Sequence, residues 1–348
     1  MDARKAYDDL REDAPGMRLS SMRWAATAAI LFCTMLLSSA PARAATCTSQ
    51  GEITAPEREQ IAAAATQLAA DILRQDATAL QAALLPAVAG QWDGIRAAAD
   101  QGAALVKGGQ IQLRNLYLLD ATMLTAPADT QFFCSDSTGS LTVTLTMRGL
   151  PPGRYAVVLA DSLGAPLSGQ LGFILGWDKA GGWKLGGLSA RPGAFDGHDG
   201  VWYWTRAREA AKTDFTWSAW YLYDTARYLL VPVDYLSSPN LEKLAQEQEG
   251  LKNSPRDGFP FTLSDGPRTW KVDGIHLDAS LNHPDLAVTY ETMGVTDPAA
   301  ARTEAVAVLS ALLKKHPGIK ENFHGLWAYA MKDGNRTFAI ELPMAQIP

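Results

Sequence analysis

Apolar and polar positions change rhythm several times along this chain. From Ile53 the rhythm is helical: Ile61, Ala64, Ala65, Leu68 and Ile72 recur at three- and four-residue spacing, which puts them on one helix face. Thr54 and Glu57 have the spacing of a capping box, and Pro56 falls in the first turn, where proline is tolerated. A second short helix is expected from Asp76 through Leu80, Leu84 and Leu85. A third runs from Trp92 through Ile95, Ala98 and Ala99 to Val106, and Gly108-Gly109 stops it. The period then becomes two. Ile111, Leu113, Leu116 and Leu118 begin a set of strands. Leu141, Val143, Leu145 and Met147 alternate with Thr142, Thr144, Thr146 and Arg148, a strand with one buried and one wet face. Pro151-Pro152-Gly153 turns the chain and Tyr155–Ala160 returns. Leu171–Trp177 and Trp183–Leu188 form a hairpin around Asp178-Lys179-Ala180-Gly181-Gly182. Three helices followed by antiparallel strands predict an α+β domain over residues 53–191, with the helices on one sheet face.

This order of a long, a short and a third helix, then a curved sheet ending in Trp183-Lys184-Leu185, resembles the NTF2-like, or cystatin-like, cone. The resemblance implies a pocket between sheet and helices. In the family's isomerases and dehydratases an acid or a tyrosine in that pocket transfers a proton, tuned by burial. Many other members bind or assemble without catalysis. By residue type the resemblance implies Tyr117, Asp120, Tyr155 and Asp161 as pocket groups; Asp120 and Asp161 also suit strand ends, where aspartate closes turns.

Residues 198–248 return to a helical period. Val201–Lys212 and Thr216–Leu230 read as a helical hairpin, and a third helix starts at Asn240. Tyr203, Ala207, Ala210 and Ala211 form a mostly small face, and Trp217, Trp220, Tyr221 and Tyr228 put bulk opposite it. The pair resembles a single tetratricopeptide-type unit. With no second copy, it is expected to be an extension packed on the first region. Residues 249–268, containing KNSPRDGFPFTLSDGP, have the composition of a linker. Residues 269–348 read strand, strand, helix, strand, strand. Asp297-Pro298 starts the helix, His316-Pro317-Gly318 ends it, and Asp333-Gly334-Asn335 turns the last hairpin. The whole is therefore α+β: a cone, a helical hairpin and a small ββαββ domain.

One segment fits none of these rhythms. Trp24–Leu37 is an unbroken apolar run, shorter than the ~20 residues a membrane-spanning helix needs. Arg18 and Arg23 precede it, and Ala40-Pro41-Ala42 and Ala42-Arg43-Ala44 follow. Positive, apolar and small residues in that order are the pattern of a cleavable secretory signal, with cleavage expected after Ala44. Five acids among the first sixteen residues do not suit it, whereas a start at Met17 does. The expected location is the bacterial periplasm or outside the cell. Loss of 1–44 removes six of 31 basic and five of 37 acidic residues, leaving 25 against 32 and a net charge of −7. That balance disfavours nucleic acid and anionic membranes as partners. No second long apolar run follows, so no membrane span is expected after cleavage. Cys47 and Cys134 remain, and an even pair in an oxidising space reads as a disulfide.

Chemistry is sparse. No GxSxG elbow, GxGxxG or GxxxxGK[ST] loop occurs. The histidines 198, 276, 283, 316 and 324 form no zinc spacing, so no metal and no cofactor is assigned. His316 ends a helix, where a positive ring is favoured. His276 and Asp278 share a strand face, as a base pair or as solvated groups. Ten of the chain's thirty aromatics lie within residues 202–235. One helix face cannot bury them all, so the hairpin is either sandwiched between domains or exposes a contact patch that includes Trp202, Trp204, Trp217 and Trp220. The expected function is that of an exported, noncatalytic binding or assembly protein, whose partner is a protein or small molecule of the cell envelope. The alternatives are an isomerase- or hydrolase-type enzyme using the cone pocket, or a cell-wall saccharide binder stacking sugars on tryptophan.

Overall fold

The computed structural model describes residues 45–135, 138–213, 215–294 and 297–348, so the expected export signal lies outside the described residues. The described residues start with a short strand, β1 (Thr46–Ser49), and then three helices: α1 (Ala55–Leu73), α2 (Ala77–Ala82), which stops short of the expected Leu84 and Leu85 because these pair with Leu185, and α3 (Trp92–Val106). Asp76 caps α2 by accepting from the Ala79 amide. The capping box at α1 does not form. Thr54 makes no side-chain cap, and Glu57 pairs instead with Arg154, far along the chain.

Six long strands follow: β2 (Gln110–Asp120), β3 (Ala128–Ser135), β4 (Thr142–Leu150), β5 (Arg154–Leu163), β6 (Gly169–Asp178) and β7 (Gly182–Pro192). They do not make one sheet. β1, β2, β5, β6 and β7 form a five-stranded antiparallel sheet, whereas β3 pairs with β4, and β4 pairs on its other edge with a two-residue strand at Leu236–Ser237. The two sheets stack, because the central strands are apolar on both faces. Leu116, Leu118, Ala156, Val158, Phe173 and Leu175 pack against α1–α3. Tyr117, Leu119, Val157 and Leu159 point the other way, onto Phe132, Val143, Leu145 and Met147. The helices thus occupy one sheet face, as the sequence predicts, and the second sheet covers the other. Side chains fill the helix–sheet interface, including Ile61, Leu68, Ile72 and Ile95. Cys47 on β1 and Cys134 on β3 are joined in a disulfide, Cα atoms 5.4 Å apart, that ties the two sheets together.

The second half contains β8 (Ala194–Phe195), β9 (His198–Asp199), α4 (Gly200–Ala211), α5 (Thr216–Leu230), β10 (Leu236–Ser237) and α6 (Pro239–Glu249). After them come β11 (Phe261–Asp265), β12 (Arg268–Asp278), β13 (Asp285–Glu291), α7 (Pro298–Lys315), α8 (Gly318–Asn322), β14 (Gly325–Lys332) and β15 (Asn335–Pro343). The last five strands form a sheet in chain order, antiparallel except where α7 crosses over to bring β14 parallel to β13. The segment read as linker ends inside this sheet. Its Pro and Gly content masks an alternation in which Leu263 is buried opposite Trp270, and that alternation makes β11 an edge strand.

The expected packing of the α4–α5 hairpin on the first region needs correction. Tyr203, Ala207, Tyr221, Leu222 and Ala226 share one core with Trp270, Leu286, Tyr290, Leu309 and Leu326 of the last sheet and its helix. An aromatic surface this broad needs an apolar sheet face to bury it. Its join to the first sheet is mainly polar. The Gln170 amide donates to the Leu229 and Pro192 carbonyls at 2.8 and 3.1 Å, and the Ser189 hydroxyl donates to the Pro232 carbonyl at 3.2 Å. Among the described residues no helix is long and apolar enough to cross a membrane.

Candidate functional site

The pocket groups implied by the family resemblance do not converge. Tyr117 is buried between the two sheets. Asp120 closes the end of β2: one carboxylate oxygen accepts from the Thr122 amide at 2.9 Å and hydroxyl at 2.6 Å, and these bonds hold its pKa down. Tyr155 donates to the Pro151 carbonyl at 2.9 Å and edges an apolar groove of about 770 Å³ lined by Leu85, Val88, Met147, Ile174 and Tyr235. Asp161 is six residues further along β5, about 20 Å away at strand rise. It sits 3.2 Å from Arg114, and burial pushes its carboxyl up.

The tryptophans divide differently. Trp204 Nε1 donates to Glu247 at 2.8 Å, and Arg208 lies over its ring while binding the same carboxylate with two nitrogens. Trp217 stacks on His316 at 3.9 Å and meets Phe259 and Phe261. Trp220 is partly buried against the shared core. Most of the aromatic cluster is therefore packed in or against the core shared with the last sheet, and Trp202, 41% exposed, is the exception among these four. The other exposed tryptophan among the described residues, Trp177, meets Trp183 edge-on at 69°, so it does not supply a parallel platform with it.

Trp202 stands at the mouth of a cleft that the sequence did not reveal. Asp196 and Gly197, both at positive φ, make the two-residue turn between β8 and β9. That turn delivers His198 onto Trp202, ring centroids 3.8 Å apart and nearly parallel. Asp199 then caps α4 by accepting from the Trp202 amide at 2.8 Å, which fixes the indole in the first helical turn. Opposite, the end of the last sheet contributes His324. The cleft holds about 470 Å³, and Arg206, Glu209 and Asn322 supply its polar wall. Arg206 Nε donates to Asn322 at 2.9 Å.

Behind His324 the polar groups thicken. His283 Nδ1 lies 2.6 Å from Asp196, and its ring stacks on His324 at 4.1 Å. His324 Nδ1 lies 3.1 Å from Asp285 Oδ1. Asp285 begins β13, and Glu341 on β15 comes up beside it across Gly325 of β14. Desolvation raises the carboxyls of Asp285 and Glu341; the neighbouring Asp285 charge adds to the rise at Glu341, and the His324 hydrogen bond opposes it at Asp285. In the sequence these residues are far apart, so no motif records them. The Asp196-Gly197 pair is the local signal that could have placed one wall. Compared with known protein families, with curated proteins and with solved structures, the chain finds no match.

Proposed function

We propose that the chain is an exported, noncatalytic binding protein of the bacterial cell envelope, taking a small polar ligand in the cleft between α4 and the end of the last sheet. The observation that carries this reading is the exposed Trp202–His198 stack at the cleft mouth, an aromatic platform beside Arg206 and Glu209. Such concave sites, apolar on one side with a few placed polar groups, are where small ligands bind. The state of the cleft's hydroxyl groups favours the noncatalytic reading. Thr205 spends its hydroxyl on the Val201 carbonyl, and burial pushes the Tyr203 hydroxyl far up, so neither is a ready nucleophile. Export is supported by the signal pattern ahead of Ala44 and by the Cys47–Cys134 bond, which persists in oxidising compartments.

The test is a thermal-shift screen of the mature chain against the small-molecule fraction of a periplasmic extract. At least one subfraction should raise Tm in the wild type and fail to do so in Trp202→Ala and Arg206→Ala. No shift in any subfraction, or equal shifts in all three proteins, overturns the reading. Recovery of the natural protein from cytosol at full length, with both thiols free, overturns the location.

A further inference from the structure

We propose that Asp285, His324 and Glu341 bind one divalent transition-metal cation of the zinc or manganese class. Each offers one ligand atom, and the three atoms lie within 4.8 Å of one another. Nitrogen and oxygen donors sit about 2.0–2.2 Å from such an ion, which sets them about 3.4 Å from one another around a tetrahedral centre. The three side chains therefore have to draw together by up to about 1.4 Å to grip an ion.

The carboxylates are set up as no solvated acidic cluster would be. The Asp285 side chain is 1% exposed, and its Oδ2 has no hydrogen-bond donor. Glu341 Oε1 is also buried without a donor. His283 and His324 offset only part of the desolvation cost of these two carboxylates, and a cation held between them offsets it for both at once. Gly325 keeps the space between them open. A Cβ there would lie 2.5 Å from Glu341 Oε1 and 3.1 Å from Asp285 Oδ1. His283, held by Asp196, stacks on His324 and limits how that ring can turn. One imidazole with two carboxylates favours zinc or manganese over calcium or magnesium, which prefer all-oxygen shells.

His324 is shared with the cleft wall, but titration with metal alone reads the ion separately from the cleft's ligand. Mature protein treated with EDTA and desalted is titrated calorimetrically with ZnCl2 and MnCl2, with CaCl2 and MgCl2 as controls. One equivalent of zinc or manganese should bind and raise Tm. Asp285→Asn and Glu341→Gln should each weaken binding about tenfold or more at unchanged circular dichroism. Absence of saturable zinc and manganese binding in the wild type overturns the proposal. Binding undiminished in both variants overturns it too, since the ion then sits elsewhere. If a variant does not fold, anomalous scattering at the zinc edge from wild-type crystals soaked in ZnCl2 decides. A peak among the three side chains supports the site; a peak elsewhere, or none, refutes it.

Discussion

His316 shows how packing can reverse the state a residue's position suggests. A helix C-terminus favours a protonated ring, and the sequence reading expected one. Instead the ring lies flat on Trp217 with Nε2 buried and unpartnered, and burial, aided by the Lys315 charge, lowers its pKa to about 4. The folded chain therefore binds this proton more weakly than the unfolded chain, whose value is near 6.5. The stability it contributes is complete above about pH 6.5 and is lost as pH falls towards 4. With a discount for partial exposure, the loss is about 1–2 kcal/mol. His316→Gln should flatten that part of the Tm–pH curve. An unchanged slope between pH 6.5 and 4 would show that the ring titrates normally. Trp217 was legible as a helical aromatic, but its partner was not, because stacking across 99 residues leaves no trace in local spacing.

Among elements, the first strand was the hardest to read. Thr46–Ser49 is four residues long and polar at its surface, so it shows no alternation worth counting. It is held because it adds an edge to β2 and is bonded to β3 by Cys47–Cys134. The bridge closes a span of 87 residues, and long loops gain most from closure. Replacing both cysteines by serine should cost about 2–4 kcal/mol in denaturant titration. A change well below 1 kcal/mol would mean that the sheet interface alone fixes the strand. The helices and the β4 and β6–β7 strands were legible because their period repeats over a full element. The division of the strands between two sheets was not: alternation tells which face is buried, not which neighbour buries it. The failed capping box has the same cause, since a distant Arg154 outcompetes the local amide for Glu57.

For the molecule as a whole, the segment that follows the helical hairpin approaches the first sheet closely at Gly172. A Cβ there would meet Val233 Cγ1 at 2.3 Å, with Val233 fully buried in the inter-sheet core. Gly172→Ala should therefore destabilise by about 1–3 kcal/mol, and adding Val233→Ala should recover part of that loss. Additive costs in the double variant would show that the two positions do not touch. The site is likewise a product of the whole. Asp196 comes from a turn after the first sheet, Trp202 from α4, Asp285 and Glu341 from β13 and β15, and His324 from the residue before β14. The sequence displayed each residue type without the topology that gathers them.

The α7 crossover bears on how the chain reaches its final state. β14 and β15 join through a tight turn and β12 and β13 through a short loop, whereas the parallel pairing of β13 with β14 spans the eighteen-residue helix between them and is the less local contact. Asp285 and His324 flank that parallel junction, one on each side, so the imidazole and its carboxylate meet only when it is made. An ion held there therefore senses whether the two halves of the last sheet are joined.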